Sequence, residues 1–336
     1  MTVLSRRHAL AAGAAALAAP ALVAGLEAQA QTTPAAPAAP AAPAAAAATQ
    51  APGFYRYKVG SITVTAINDG FAMRPLEGFV RNAQLPAVQQ AMSAAFLPTT
   101  ALPIPFNTLV VQTGGKTVVI DTGNGDSGAP TSRVWMTNFK AAGFDPAKVD
   151  TVVISHFHGD HINGIRLRDG TAQFPNAEVQ VPAPEWAFWM SDERMNQAPE
   201  AMRGAFQNVR RVFKPIEAQV KKYNPGVEVA PGITSVAAFG HSPGHTAFVI
   251  ASGNAKLLNM SDVTNHPALF VRHPDWSAVF DQDADMARAT RRRMLDMAAT
   301  EKTQVHFYHA PFPAAGHIVK DGTGYQLVPL QWTPAI

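Results

Sequence analysis

Six consecutive residues, His156-Phe157-His158-Gly159-Asp160-His161, carry three imidazoles and one carboxylate directly after the apolar run VDTVVIS. If strand geometry continues to Phe157, alternation turns His156 and His158 to one face. Gly159 then permits a sharp turn that brings Asp160 and His161 back toward the same point. Four nitrogen and oxygen donors from so short a stretch predict a metal site. One ion does not use all four comfortably, because Asp160 and His161 turn a different way from the first pair. A second ion needs donors from further along the chain. His241 in FGHSPGHTAFVI, Asp262 in LLNMSDVTNH and His309 in VHFYHAPFPAAGH each stand at the end of a strand-like run, where a side chain can reach a shared rim. The chain has no cysteine, so thiolate sites, disulfides and a cysteine nucleophile are excluded. Imidazole and carboxylate together suit Zn²⁺ first, with Mn, Co and Fe also compatible.

The elements that must hold these donors are legible from periodicity. YKVGSITVTAINDG reads as a strand ending in a turn at Asp69-Gly70. Residues 109–111 and 118–120 read as two strands of a hairpin joined through Gly114-Gly115. VDTVVIS, AEVQVPA, ITSVAAFG, TAFVIASG, AKLLNMSD and TQVHFYHA predict further short strands. Helical patterns fall near 85–95, 131–142, 184–190, 200–222 and 284–299. Helices interspersed among meandering strands predict one layered α/β domain over residues 54–336.

The first fifty residues have a different texture. Arg6 and Arg7 precede an Ala/Leu/Val stretch that ends in Ala28-Gln29-Ala30, so residues 1–30 predict an export signal of the twin-arginine kind. That places the protein in the periplasm or outside the cell. The stretch is too weakly apolar, and is interrupted by Glu27, to predict a stable membrane span. Residues 31–53 are almost entirely Ala, Pro, Thr and Gln and predict a disordered linker.

Over 336 residues the net charge is +3, and only 15% of residues are charged. The densest basic cluster, Arg291-Arg292-Arg293, is surrounded by Asp281, Asp283, Asp285 and Asp296 and reads as a solvated helix face. Nucleic acid is therefore not an expected partner. A small-molecule substrate is, and a homodimer is compatible with the pattern.

The ordered set, HFHGDH, then GHSPGH, then Asp262 after an apolar run, then His309, resembles the metallo-β-lactamase superfamily, and VVIDTG with Asp121 matches its early motif. The resemblance runs from about residue 59 to 328. Within the superfamily, the segments NMSDVTNHPAL and HAPFPAAGHIVKDGTGYQLVP look most like the methyl parathion hydrolase-like branch. It implies a four-layer αββα sandwich with two metals at one edge between the sheets. His156, His158 and His241 would take the first metal, Asp160, His161 and His309 the second, and Asp262 would bridge them. Asp160 and Asp262 would be the catalytic carboxylates. Asp121 and His245 would support the ligands from behind. His309 is preferred to His306 and His317 as ligand, and His317 is expected near the substrate. Asn163-Gly164 replaces the family's frequent Gly-Gly, a departure that touches the turn and not the ligands.

A two-metal site holds a shared hydroxide near neutral pH, so hydrolysis of lactones, aryl esters or organophosphate triesters is the expected reaction. Trp186, Phe188 and Trp189, with Phe96 and Phe106, are candidate aromatics for an apolar substrate mouth. Trp189 and Phe106 are the ones carried forward. The alternatives are a β-lactamase, a di-iron redox enzyme on the same scaffold, and a non-catalytic metal-binding protein. The bridging carboxylate speaks against the first, and the absence of an appended flavin- or rubredoxin-like module against the second. A structural ion needs only four ligands, which speaks against the third.

Overall fold

The computed structural model describes residues 50–336. The predicted export signal and most of the predicted linker lie outside the described residues. Among the described residues, fourteen strands form two sheets of seven. The first sheet runs β1 (Phe54–Val59), β2 (Ile62–Pro75), β3 (Ala101–Thr113), β4 (Lys116–Ile120), β5 (Thr151–Val153), β6 (Glu178–Pro182) and β7 (Lys221–Tyr223), in spatial order. The second is β8 (Glu228–Ala230), β9 (Ile233–Ala237), β10 (Thr246–Ser252), β11 (Ala255–Asn259), β12 (Gln304–His306), β13 (Ala315–Asp321) and β14 (Gly324–Pro329), again in spatial order. The predicted hairpin across Gly114-Gly115 is present, both glycines taking positive φ as such a turn requires.

One apolar layer lies between the sheets. Val64, Leu109, Val111, Val118, Ile120 and Val153 of the first meet Ile233, Phe248, Ile250 and Leu257 of the second, all essentially inaccessible. Each such side chain contributes roughly 1.5–3 kcal/mol on burial. The outer face of the first sheet is covered chiefly by α2 (Trp135–Ala141), α4 (Ala183–Trp189) and α6 (Glu200–Phe213), with α3 (Gly159–Ile162) and α5 (Asp192–Gln197) along the same stretch of chain, while α1 (Leu85–Ala94) packs Val88 and Met92 in a separate cluster with Leu269 and Phe270. The outer face of the second sheet is covered by α8 (Ala284–Glu301), which follows the short α7 (Pro267–Phe270) and packs Met294, Leu295 and Ala298 inward. The Asp283 side chain caps the first turn of α8 through Met286 N–H. The result is the expected four-layer sandwich.

Two expectations change. YKVGSITVTAINDG is two strands, not one: Gly60 turns the chain into β2, which passes Asp69-Gly70 through a bulge and continues to Pro75. The helical pattern over 200–222 ends as α6 at Phe213. A 3₁₀ stretch follows, and then β7, a short parallel edge strand.

Candidate metal centre

The C-terminal ends of β5, β9, β11 and β12 open onto one rim, and each releases a loop that carries donors. β5 stops at Val153, three residues before His156. Strand alternation therefore does not align His156 with His158, as the sequence suggested. A loop carries both, His158 sits at the N-terminal boundary of α3, and one helical turn then presents Asp160 and His161. Gly159 keeps negative φ. The glycine the turn needs is Gly164, where a Cβ would lie 2.0 Å from the Thr122 carbonyl oxygen.

The donors gather into two groups. One atom each from His156, His158, His241 and Asp262 lie within 4.8 Å of one another, and so do one each from Asp160, His161 and His309. Asp262 stands between the groups. Its Oδ2 is 3.3 Å from His241 Nε2, 3.9 Å from His156 Nε2 and 3.1 Å from His309 Nε2, and its Oδ1 is 3.4 Å from His161 Nε2. His156 Nε2, His161 Nε2 and Asp262 Oδ1 are buried without a hydrogen-bond partner. Orphaned buried donors and acceptors are costly, so three aimed at one point fit a site built to hold cations.

The electrostatics of the metal-free chain agree with this. Burial, reinforced by neighbouring imidazoles, pushes His156 and His158 well below the usual histidine range. Burial also works against charge on His161, but Asp262, Asp160 and Asp121 outweigh it and hold His161 well above that range. His241 rises to about 9, because its hydrogen bonds to Asp262 and Asp281 overcome burial. Burial raises Asp262, yet His309 and His161 hold it well below the carboxylate range. Cations must displace these protons, so metal affinity falls as pH falls.

A second layer of groups orients the ligands. Asp121 accepts from Ser155 N–H and Oγ–H and lies 2.9 Å from His161 Nδ1. The Pro105 carbonyl holds His309 Nδ1 at 2.8 Å. His245 has both ring nitrogens engaged by backbone, Nδ1 to the Ala238 carbonyl and Nε2 accepting from Asp262 N–H, so it offers no donor to a metal. Burial, followed by the nearby His241, depresses His245 to about 3 and keeps it neutral. His306 is buried beside Asn259 and belongs to neither group.

Sequence reasoning missed one pair here. Asp281 Oδ1 lies 3.0 Å from His241 Nδ1, and Arg291 holds the other oxygen at 3.1 Å while donating to the Val263, Pro274 and Trp276 carbonyls. Arg291 is 1% exposed, so it is no part of a solvated face. It lies on the inner side of α8, and the helical period separating it from Arg292 and Arg293 was the available signal. Carboxylate-held imidazoles bind metal more tightly, so Asp281→Asn should weaken the first group's affinity by about 10–100-fold, read by chelator competition.

The cluster forms the floor of a cavity of about 570 Å³, with Ala72, Met73, Ile104, Phe106 and Phe280 on its apolar side and Asn124 and Ser127 on its polar side. Phe106 meets His309 edge-on at 5.6 Å. Trp189 does not line this cavity. It is buried, donates from Nε1 to Glu185, and borders an adjoining hollow of about 930 Å³ that shares His158 and Phe280. Trp186 packs in the core and Phe96 is 98% exposed. His317 is not near the substrate cavity. It lies on β13 opposite Gln304 and lines a separate hollow with Thr300 and Lys302, because the hairpin of β13 and β14 carries it away from the rim.

Two facing sheets whose strand ends converge on a seven-donor, two-centre cluster define a class. Residues 103–300 match the metallo-beta-lactamase superfamily, and the chain belongs to it. It is 30% identical over 183 residues to N-acyl homoserine lactonase AttM of Agrobacterium fabrum and to the protein of that name from Rhizobium radiobacter. That match covers 47% of this chain and spans 63% of the length of those relatives. Among solved structures, AidC, a dizinc quorum-quenching lactonase, superposes with TM-score 0.79 at 26% identity, over 84% of this chain and 98% of AidC. The hydrolase AbOPH shares the fold, with TM-score 0.80 at 24% identity over 85% of this chain and all of AbOPH.

Proposed function

We propose that the chain is a two-zinc hydrolase whose main substrates are lactones, with aryl esters and organophosphate triesters as secondary ones, in the methyl parathion hydrolase-like branch. The observation that carries this is Asp262 standing between two complete donor groups on the floor of one cavity. AttM and AidC, both lactonases, support the lactone preference. Bound at these donors, two divalent cations would supply an activated water and polarise the substrate's carbonyl or phosphoryl oxygen. The chain's own residues do the rest. Asp121 and Asp281 fix how His161 and His241 present their Nε2 atoms. The Ile104, Phe106 and Phe280 wall holds an apolar substrate arm and excludes water. We also infer that residues 1–30 export the protein.

The test is zinc-loaded protein assayed against a γ-lactone, an aryl acetate, a paraoxon-type triester and nitrocefin. The expected order places lactone turnover first and nitrocefin last. Nitrocefin turnover matching the lactone rate would establish the β-lactamase alternative. No turnover of any substrate above buffer would leave a metal-binding protein.

A further inference from the structure

Glu185, in the first turn of α4, is wholly buried, and both of its carboxylate oxygens are fully used. Oε2 accepts from Phe157 N–H and Trp189 Nε1–H, each at 2.9 Å. Oε1 accepts from Ser242 Oγ–H and Gly244 N–H, each at 2.6 Å. Phe157 lies between His156 and His158, and Ser242 follows His241. One carboxylate therefore ties together the two loops that carry the three histidines of the first donor group. The loops converge where His241 Nε2 and His158 Nδ1 stand 3.0 Å apart. The approach is backbone-close: a Cβ on Gly244 would lie 2.5 Å from Glu185 N.

We propose that Glu185 is a positioning residue for the first metal, setting the separation of His156 and His158 from His241. This rests on the two-metal reading above. Three of the four partners, the Phe157 and Gly244 N–H groups and Trp189 Nε1–H, can only donate, so a carboxamide would turn its own N–H₂ against at least one of them. No cationic side chain pairs with Glu185 among the described residues. A buried carboxylate without a countercharge is costly, and a bracket serving packing alone could be neutral. Cations held by the loops that Glu185 joins would supply the balancing charge.

The experiment titrates demetallated protein with Zn²⁺ against a chromophoric chelator. Wild type should take up two equivalents. Fewer than two would defeat the two-metal reading, whatever Glu185 does. Glu185→Gln is then placed in two backgrounds. With His309→Ala, which leaves the first group intact, Zn²⁺ affinity should fall about 10–100-fold. With His241→Ala, which leaves the second group intact, it should change less than about threefold. Ser242→Ala, a milder change that removes one bond, should weaken the first background alone by about fivefold. Melting of the metal-free forms checks that each variant folds, and Ser242→Ala carries the test if Glu185→Gln does not. Equal losses in both backgrounds, or no loss in the first, would overturn the proposal.

Discussion

Asp262→Ala should bind at most one metal tightly and lose at least ~10³-fold in kcat/KM on a lactone, about 4 kcal/mol of transition-state stabilisation. The size follows from position. Asp262 stands between the two groups, its Oδ2 at 3.3 Å from His241 and 3.1 Å from His309. Its removal takes a ligand from each centre and also deletes the negative charge that offsets two dications. Elemental analysis of the purified variant reads the first effect and steady-state kinetics the second. His245→Ala is the control. Its ring is occupied by Ala238 and Asp262 backbone groups, so both metals should remain and only stability should fall. Equal metal loss in the two variants would mean that His245, not His241, is the ligand.

Acid should destabilise the fold strongly, apart from any loss of metal. Burial depresses His306 and His245 to about 3. In the unfolded chain the same imidazoles titrate near 6.5. The folded form therefore binds fewer protons than the unfolded form between pH 6.5 and 3. The stability that these groups contribute is fully present above 6.5 and is lost progressively down to pH 3. Between pH 7 and pH 5 each loses about 2 kcal/mol, so the pair loses about 4 kcal/mol. His161 and His241 shift upward and so favour the folded form in mild acid, which partly offsets the loss in metal-free protein. His306→Asn isolates one contribution, since His306 touches no ligand. Denaturant unfolding of metal-free protein at pH 7 and 5 should show its pH dependence reduced by about 2 kcal/mol. An unchanged slope would mean that His306 is charged or exposed in the folded chain.

The candidate donors were readable from the chain because coordination depends on residue type, and these types are rare and tightly spaced here. His156, His158, Asp160 and His161 fall within six residues, and His241, Asp262 and His309 each follow an apolar run. The same runs disclosed the layered α/β class, since a strand buried between layers must be apolar on the face it hides. Asp121 was readable for a different reason, its place in a motif that resembles the family's.

Other features depended on contacts between segments far apart in sequence. The geometry that brings His156 to His158 is a loop and one helical turn, not strand alternation, because β5 ends at Val153. Arg291 belongs to a run of three arginines, and only the packing of α8 against the segment from Val263 to Asp281 buries it and leaves its two neighbours more exposed. Asp281 lies 40 residues from His241, and Glu185 lies 28 from Phe157 and 59 from Gly244. His317 and Trp189 look alike in sequence as candidates near the site, yet neither lines the metal cavity. The sequence by itself determined which residues offer donors suited to a metal, because that choice is chemical and local. The tertiary structure decided which groups hold those atoms in place and which walls meet a substrate, because a hydrogen bond or a cavity exists only once distant segments have packed.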